Sequence, residues 1–570
     1  MFTDRIGALS KKLCPTTSAQ RQVDRFDTSR KRERNPSAVL MTPNVLMVFP
    51  RFNPHSFWNL QELCDIRGAR CPAPPLGLIT VAALLPPAWN IRLVNRNAEE
   101  LSESDLVWAD MVMTGGMLPQ QPDTLALIDL CHAHGKPVVV GGPDATSSPD
   151  IYSGADFRVL GEAEGIIDQF VAAWSAGSKT GVFEAAKFQI DVSKSPMPRF
   201  DLLKREHYVY IGVQFSRGCP FNCEFCDIIE LYGRVPRTKT NAQMLAELDT
   251  LYRIGHRGHV DFVDDNLIGN KKALKLFLPA LERWQRERNY PFQFSTEASM
   301  NLADDAQLLQ MMRNANFFAI FVGIESPDTA TLISMQKKQN TRRSLAESVH
   351  KIYGAGMFVL AGFIIGFDAE KNSVAQGMVD CIEATSIPVC MVGLLTALPN
   401  TQLTRRLQKE GRLLPMSADN KGDQCTAGLN FVTLRPRRDV LADYRAVLKN
   451  IYQPDAYFER VRTVGRALNC PSHAQMFSFK ELRRDLAVVF RLMWRMTVQR
   501  PELRRHFWRT FIDCARNNIG ALEYVIQMMA FYLHLGTFAK FLINDLDRQI
   551  EIIDNDVSQS TFRRAHAMSA

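Results

Sequence analysis

The sequence predicts a three-part α/β chain: a doubly wound parallel sheet, a partial parallel (β/α)6 barrel, and a mainly α-helical C-terminal domain. Three observations predict it. Short apolar runs alternate with helical spacings from about residue 44 to 175, and the alternation resumes from about 208 to 400. Successive runs are far enough apart for a crossover helix, which parallel strands require. Beyond about 426 the alternation stops, and long helical patterns dense in Arg, Phe, Met and Trp take over.

Length and composition set the bounds. The 570 residues suit three or four domains at ~150 residues each. With 46% hydrophobic and 22% charged residues, a disordered, collagen-like or coiled-coil chain is excluded. No run of eighteen uninterrupted apolar residues occurs, so a conventional spanning helix is not expected. Residues 1–11 are too short and mixed for a signal-peptide core. The net charge of +8 is uneven: +5 in 1–40, −5 in 41–425 and +8 in 426–570. Basic ends on a near-neutral body do not fit a nucleic-acid binder, and no such partner is expected.

The elements follow in order. Residues 1–40, rich in Ser, Thr, Arg and Lys without periodicity, are expected to be a disordered basic extension. Within 41–175, strands are expected at 45–49, 91–94, 111–114, 138–140 and 157–160, and helices at 76–85, 124–134 and 166–174. Such sheets bind ligands outside the carboxyl ends of their strands. Those ends carry Thr114-Gly115-Gly116, Gly141-Gly142-Pro143 and Gly161-Glu162, and glycine lets a ligand approach the backbone closely.

Residues 176–207, interrupted by Ser193, Ser195, Pro196 and Pro198, are expected to be a linker. The barrel, 208–400, is expected to have strands at 209–215, 259–263, 292–296, 319–322, 358–365 and 388–395. Its helices fall near 241–253, 271–288, 304–314, 342–354 and 374–385. An active site belongs at the C-terminal ends of these strands. Residues 401–570 form the helical domain.

Of the twelve cysteines, nine are scattered, and three fall in the loop Ser216-Arg217-Gly218-Cys219-Pro220-Phe221-Asn222-Cys223-Glu224-Phe225-Cys226. Three thiolates spaced C-x3-C-x2-C can cap three irons of a cubane cluster and leave the fourth open. Structural zinc wants four protein ligands, and no nearby Cys or His completes such a set. Polar residues also end the later strands: Asp264-Asp265-Asn266, then Glu297 and Ser299, then Gly323-Ile324-Glu325-Ser326. Some of these could instead cap helices.

The cysteine loop, with the aromatic Phe225 before its last cysteine, resembles that of the radical S-adenosylmethionine (radical SAM) enzymes, over about residues 205–400. The resemblance implies one 4Fe–4S cluster on Cys219, Cys223 and Cys226, with the open iron chelating the amino and carboxylate groups of S-adenosylmethionine. It implies that Phe225, Asp264, Glu297, Ser299, Gly323 and Glu325 contact S-adenosylmethionine. It further implies reductive cleavage of the C–S bond to a 5′-deoxyadenosyl radical, fed by a reduced donor of flavodoxin or ferredoxin type. No catalytic side chain beyond the cofactors is expected, since this radical takes hydrogen from unactivated carbon.

Pro74-Pro75-Leu76-Gly77-Leu78, Val140-Gly141-Gly142-Pro143 and Leu160-Gly161-Glu162-Ala163-Glu164 resemble, in that order, the Rossmann-like cobalamin-binding domain fused to many radical SAM enzymes. The resemblance implies that Thr114, Gly115, Gly141, Gly142, Pro143, Gly161 and Glu162 face cobalamin. There is no Asp-x-His-x-x-Gly, and His55, His132 and His134 have the wrong surroundings, so no lower axial histidine is expected.

The segment from Cys226-Asp227-Ile228-Ile229 to Arg237-Thr238-Lys239, the run Phe262-Val263-Asp264-Asp265-Asn266 and the helical C-terminus resemble the hopanoid methylases, the C-2 more than the C-3 enzymes. That implies a methyltransferase acting on an unactivated carbon of a polycyclic triterpenoid, with C-2 of the hopanoid A ring expected. One S-adenosylmethionine would methylate cob(I)alamin, and a second would activate the substrate to receive the methyl group of methylcobalamin. Other readings stay open here: methylation at C-3 or of another terpenoid lipid, a cobalamin radical SAM oxidative cyclase, or a non-catalytic, membrane-docked redox sensor.

Residues 480–509 hold 9 Lys/Arg and 3 Asp/Glu among Val488, Val489, Phe490, Met493, Trp494, Phe507 and Trp508. Such interleaving suits an anionic bilayer surface, with Arg483, Arg484, Arg491, Arg495, Arg504, Arg505 and Arg509 as the expected docking face. A solvated basic face is the alternative. Residues 524–541 are apolar but broken by Gln527, His534, Gly536 and Lys540, which predicts a lipid pocket or interfacial helix rather than a span. The expected location is the cytoplasm, peripheral on the inner membrane.

Overall fold

In the computed structural model the first apolar runs form a six-stranded sheet: β1 (Asn44–Phe49), β2 (Asn90–Asn95), β3 (Met111–Gly115), β4 (Val138–Gly141), β5 (Phe157–Leu160) and β6 (Gly181–Glu184). The structure describes residues 42–415, 425–426, 428–470 and 479–568, with side chains through 556 except at 479–482. The extension expected at 1–40 lies outside the described residues. All pairings are parallel, in the order β2-β1-β3-β4-β5-β6. The chain therefore reverses its direction of travel between β1 and β3, the kind of switch point where doubly wound sheets place ligands.

One expectation is corrected here. The linker 176–207 is not free of regular structure: Gly181–Glu184 is β6, the edge strand beside β5. Its residues alternate between half-buried and exposed, and Phe183 packs edge-on to Phe170 at 6.0 Å. A four-residue edge strand buries one face only, so it lacks the continuous apolar run that marks the inner strands. The helices Gln61–Arg67, Glu103–Trp108 and Gly142–Ser147 are likewise additions to the elements expected from sequence.

The second sheet is built from β7 (Ile211–Val213), β10 (Gly258–Phe262), β11 (Phe292–Ala298), β12 (Phe317–Glu325), β13 (Phe358–Ile365) and β14 (Val389–Leu394), all parallel and in that spatial order. Between β7 and β10 a short antiparallel pair, β8 (Ser216–Arg217) and β9 (Arg237–Thr238), brackets the cysteine loop. The edges β7 and β14 do not pair, so the barrel is partial. β7 is shorter than the expected 209–215. Val209 and Tyr210 donate instead to the Pro72 carbonyl of the first domain, at 3.0 and 3.1 Å, and Phe215 N donates to Asp264 Oδ2 at 2.9 Å.

Alternation along the strands sorts the barrel's side chains. Val260, Phe262, Phe292, Phe294, Ile320 and Val322 point outward and are buried under the helices. The inward rows follow from the register: Asp261, Ser295, Ala319 and Phe358 form one level, and Glu297, Phe321, Leu360 and Val389 the next.

The C-terminal part is helical: Arg437–Ile451, Pro454–Ala467, Phe479–Trp494 with a π-helical continuation Arg495–Gln499, Arg504–Asn517 and Leu522–Met568. The last helix is long and apolar enough to cross a membrane, but 61% of its most apolar window is buried. Tyr457 Oη donates to Met528 O at 2.7 Å, and Tyr532 Oη donates to Tyr452 O at 2.9 Å. Its apolar run is the core of this domain. At its start Gln293 Nε2 donates to Glu523 Oε1 at 3.1 Å, and Tyr524 stacks on Phe318 at 5.8 Å. These contacts close the N-terminal end of the barrel.

The expected basic docking face is also corrected in part. Arg491 Nε donates to Ile66 O at 2.6 Å. Arg495 pairs with Glu62 at 2.5 Å and Asp65 at 3.1 Å. These two arginines brace the helix Phe479–Trp494 against Gln61–Arg67, because an unpaired charge at a packed interface is costly to leave.

Candidate active site at the mouth of the barrel

The cysteine loop leaves β8 and returns in β9, where Arg217 sits opposite Arg237. Gly218 has φ +98°, and a Cβ there would lie 2.9 Å from Gly233 O and 3.1 Å from Tyr232 O. Only glycine fits that turn. Cys219 N then donates to Gly233 O at 3.2 Å, and Cys226 N to Cys223 O at 3.3 Å. Asn266 Nδ2 points at Cys219 Sγ and Gln339 Nε2 at Cys223 Sγ, each at 3.8 Å. Donors aimed at sulfur tune a cluster held there. Among the described residues no three His, Cys, Asp or Glu side chains converge as for a single metal ion.

Burial pushes the Cys219 and Cys226 thiols up, and Asp227 adds to the effect at Cys226. Lys337 stands nearby, its ammonium 5.9 Å from the Phe225 ring. Burial opposes its charge, yet Glu325 and Cys223 hold it above the ordinary lysine range. Phe225 packs edge-on to Phe367 at 6.0 Å.

Asp264, expected to contact S-adenosylmethionine, is held by the protein's own backbone. It is buried, and its carboxylate accepts from Phe215 N, Ser216 N and Ser216 Oγ. Burial raises its pKa to about 7 despite those bonds. It pins the β7–β8 turn that launches the cysteine loop. Gly218 N donates to the next carboxylate, Asp265, at 3.2 Å.

Glu325 is likewise engaged within the protein. It sits at a bulge in β12 with φ +64°, and its carboxylate is ion-paired with Lys337. A Cβ on Gly323 would lie 2.3 Å from Glu325 Oε1 and 2.7 Å from Lys337 Nζ. Gly323 thus makes room for that pair.

Glu297 is free of hydrogen-bond and ion-pair partners among the described residues. Its side chain is exposed to the open lumen, although barrel-wall atoms crowd around the carboxyl. Poor hydration there, with Asp261, Asp265 and Asp264 close by, pushes its pKa up to about 8. Ser299 shares Asn266 with the cysteine loop: Ser299 N donates to Asn266 Oδ1 at 3.1 Å, and Ser299 Oγ to Asn301 Oδ1 at 2.6 Å.

The lumen therefore has two unlike walls. Asp261 and Glu297 line the β10–β11 side. Phe321, Leu360, Ile364 and Met391 line the β12–β14 side, all only partly buried, with Trp58 of the first domain 5.8 Å from Phe321.

The candidate residues of the first domain gather at the carboxyl ends of β3, β4 and β5, which are neighbours in the sheet. Thr114 is buried, and its Oγ1 has no hydrogen-bond partner among the described residues. A Cβ on Gly115 would lie 2.5 Å from Gly141 O, and one on Gly141 would lie 2.9 Å from Val159 O, so these glycines also let adjacent strand ends close up. Gly142 and Gly161 have φ +89° and +83°, and Pro143 follows at the start of the helix Gly142–Ser147.

Glu162 is ion-paired with two arginines of the barrel domain. It accepts from Arg217 Nη1 at 3.1 Å and Arg237 Nη1 at 2.8 Å, while Glu164 accepts from Arg217 Nη2 at 2.7 Å. A cleft of about 310 Å³, including space open to solvent, lies alongside between Gly161, Ala185 and Lys187 on one side and Glu230 and Leu231 on the other. His132 bonds Asp156 at 2.8 Å and His134 bonds Leu130 O at 2.9 Å, at the C-terminal end of the helix Gln121–Ala133 that leads into the start of β4. His55 stacks on Phe541 at 4.0 Å.

Sequence reasoning missed Gln339, Lys337, Arg217, Arg237 and Arg406 as parts of the site. Arg217 and Arg237 stand inside the quoted motifs. Arg406, which pairs with Glu224 at 2.6 Å, and Lys337 lie far along the chain with no local signal.

Residues 213–380 match the radical SAM superfamily, and residues 401–547 match a domain of unknown function, DUF4070. An uncharacterised methyltransferase of Synechocystis is 43% identical over 89% of this chain and 94% of its own length. The hopanoid C-2 methylase of Rhodopseudomonas palustris is 34% identical over 87% of this chain and 93% of its own. In fold, the chain is similar to the cobalamin-dependent S-adenosylmethionine radical enzyme OxsB, with a TM-score of 0.56 at 15% identity over 91% of this chain and 81% of that one. The radical S-adenosylmethionine methyltransferase TsrM of Kitasatospora setae gives a TM-score of 0.55 at 15% identity, over 76% of this chain and 92% of that one.

Proposed function

Because the chain belongs to the radical SAM superfamily, in the methyltransferase family that includes the hopanoid C-2 methylase, we propose that this radical SAM C-methyltransferase adds a methyl group to C-2 of the A ring of a hopanoid. The observation that carries the substrate is similarity to the hopanoid C-2 methylase along nearly the whole of both chains. The two-walled lumen agrees with it. A polycyclic hydrocarbon suits Phe321, Leu360, Ile364 and Met391, where each buried CH2 is worth about 0.8 kcal/mol. The carboxylate wall opposite suits the sulfonium and hydroxyl groups of S-adenosylmethionine.

Cys219, Cys223 and Cys226 would hold the 4Fe–4S cluster, each thiolate on one iron. The ends of β3, β4 and β5 would hold cobalamin, with the unpartnered Thr114 hydroxyl turned to it; the solved structures of OxsB and TsrM contain cobalamin. When bound, the cluster supplies an electron and cobalamin supplies the methyl group.

The chain's own residues do the positioning. Asp264 and Asp265 fix the backbone on either side of Arg217. Phe225 and Lys337 crowd the thiols against water. Glu297 and Ser299 would orient S-adenosylmethionine, Glu297 accepting from its hydroxyls. The reductant would be of flavodoxin or ferredoxin type.

The test is expression in a hopanoid-making host that lacks its own methylase, fed methyl-labelled methionine. Labelled 2-methylhopanoids are the expected product. Label at C-3, or none in the hopanoid fraction, refutes the assignment of position or of substrate.

A further inference from the structure

The helix Phe479–Trp494 and its continuation Arg495–Gln499 have two faces. Leu492 and Met496 face the core, and Arg491 and Arg495 make the braces to Gln61–Arg67. On the other side Leu486, Phe490, Trp494 and Val498 recur at every fourth residue and are 60%, 58%, 49% and 49% exposed. Residues four apart are neighbours on a helix surface, so the four make one apolar stripe. The next helix, Arg504–Asn517, adds Trp508 and Ile512, again four apart and exposed. Arg483 stands one turn before Leu486, and Arg505 and Arg509 flank Trp508. None of these three arginines makes an ion pair among the described residues, and Arg484 pairs only with its neighbour Asp485, at 3.1 Å.

We infer that this face seats on an anionic bilayer surface, with the aromatic stripe in the headgroup boundary and the free arginines on lipid phosphates. The inference rests on the lipid-substrate reading for its purpose, which is to collect a water-insoluble substrate. Charge selects the occupant. A second copy packed across a two-fold axis would set the same patch, arginines included, against itself. An amphipathic helix with aromatics and free cations together is the composition that binds anionic interfaces. The inner braces hold the helix in place, so the stripe is presented by a fixed surface and needs no refolding to dock.

The test is co-sedimentation of the full-length protein with vesicles of phosphatidylcholine containing phosphatidylglycerol, and with phosphatidylcholine alone. Binding to the anionic vesicles is expected, weakened by high salt. Phe490→Asp with Trp494→Asp, and separately Arg505→Glu with Arg509→Glu, should each lower the vesicle partition coefficient about tenfold or more. Cleavage of S-adenosylmethionine without vesicles should be unchanged in both, since neither pair touches the barrel. Binding that both variants retain overturns the inference. So does conversion of a dimer to a monomer by Phe490→Asp with Trp494→Asp, measured by sedimentation velocity, because the face would then belong to a second copy. Hopanoid supplied in detergent micelles separates the two proposals. Vesicle binding by the native protein without methylation of that hopanoid leaves the docking face standing and sinks the substrate.

Discussion

Arg217 Nη1 lies 3.1 Å from Glu162 Oε1, and both side chains are nearly sealed from water, 11% and 4% exposed. Arg217 is two residues before the first cysteine of the loop, and Glu162 follows β5 of the first sheet. Glu164 and Arg237 complete the group, so the backbone that presents the thiols is tied to the strand ends expected to face cobalamin. Two cofactors that must act on one substrate need a fixed separation, and this group of charges joins the elements that would hold them.

Arg217→Ala should therefore uncouple the two halves of the reaction. Glu162 and Glu164 would be left buried with one partner fewer, a change that typically costs about 3–5 kcal/mol. The expected outcome is a lower melting temperature and a greater loss of methyl transfer than of S-adenosylmethionine cleavage, read as the ratio of methylated product to 5′-deoxyadenosine. An unchanged ratio would make the group a stability element only.

Replacing Cys219, Cys223 and Cys226 together by Ala should abolish the iron and sulfide content of protein purified without oxygen. Cleavage of S-adenosylmethionine should disappear with it. A full complement of iron in the triple variant would refute the assignment of the loop.

Asp264→Asn should weaken the loop rather than the binding of S-adenosylmethionine. The amide offers one acceptor where three donors now converge, and its own NH2 must face a backbone N–H, a mismatch of about 1–3 kcal/mol. Iron content after reconstitution should fall, while the fraction that retains a cluster should bind S-adenosylmethionine within a few-fold of the native affinity. A large drop in that affinity at full iron content would show Asp264 to be a ligand contact.

Glu297 sets a pH dependence in the cofactor-free protein. Its pKa rises from 4.5 to about 8 on folding, so between those values the folded state keeps a proton that the unfolded chain releases. Stability should fall as pH rises through that window. Glu297→Gln should remove this component, so its melting temperature should fall less steeply from pH 5 to pH 8. Parallel slopes in the two proteins would show that Glu297 titrates normally.

Thr114→Val tests the unpartnered hydroxyl. The two side chains have nearly the same shape, and a buried hydroxyl without a partner costs about 1–3 kcal/mol. Without cobalamin the variant should be as stable as the native protein or more so. Cobalamin retained through gel filtration should fall. Lower stability with unchanged cobalamin would show that the hydroxyl has a structural partner.

The sequence by itself determined the order of the domains, the twelve main strands save one, and the thiol triad. Buried parallel strands write themselves as apolar runs, and a triad of thiols writes itself as a spacing; both signals are local. It did not determine which polar residues would be free. Asp264, Glu297 and Glu325 look equivalent as acids at the ends of barrel strands. Only the tertiary structure turned Asp264 to the backbone of Phe215 and Ser216, paired Glu325 with Lys337 and left Glu297 open to the lumen. Glu162 and Arg217, 55 residues apart, met for the same reason, as did Arg495 and Glu62, 433 apart. A carboxylate's role depends on which donors reach it, and those donors arrive from distant parts of the chain. The exposed stripe on the helix Phe479–Trp494 belongs with them, since periodicity marks an apolar face but only packing decides whether that face is covered.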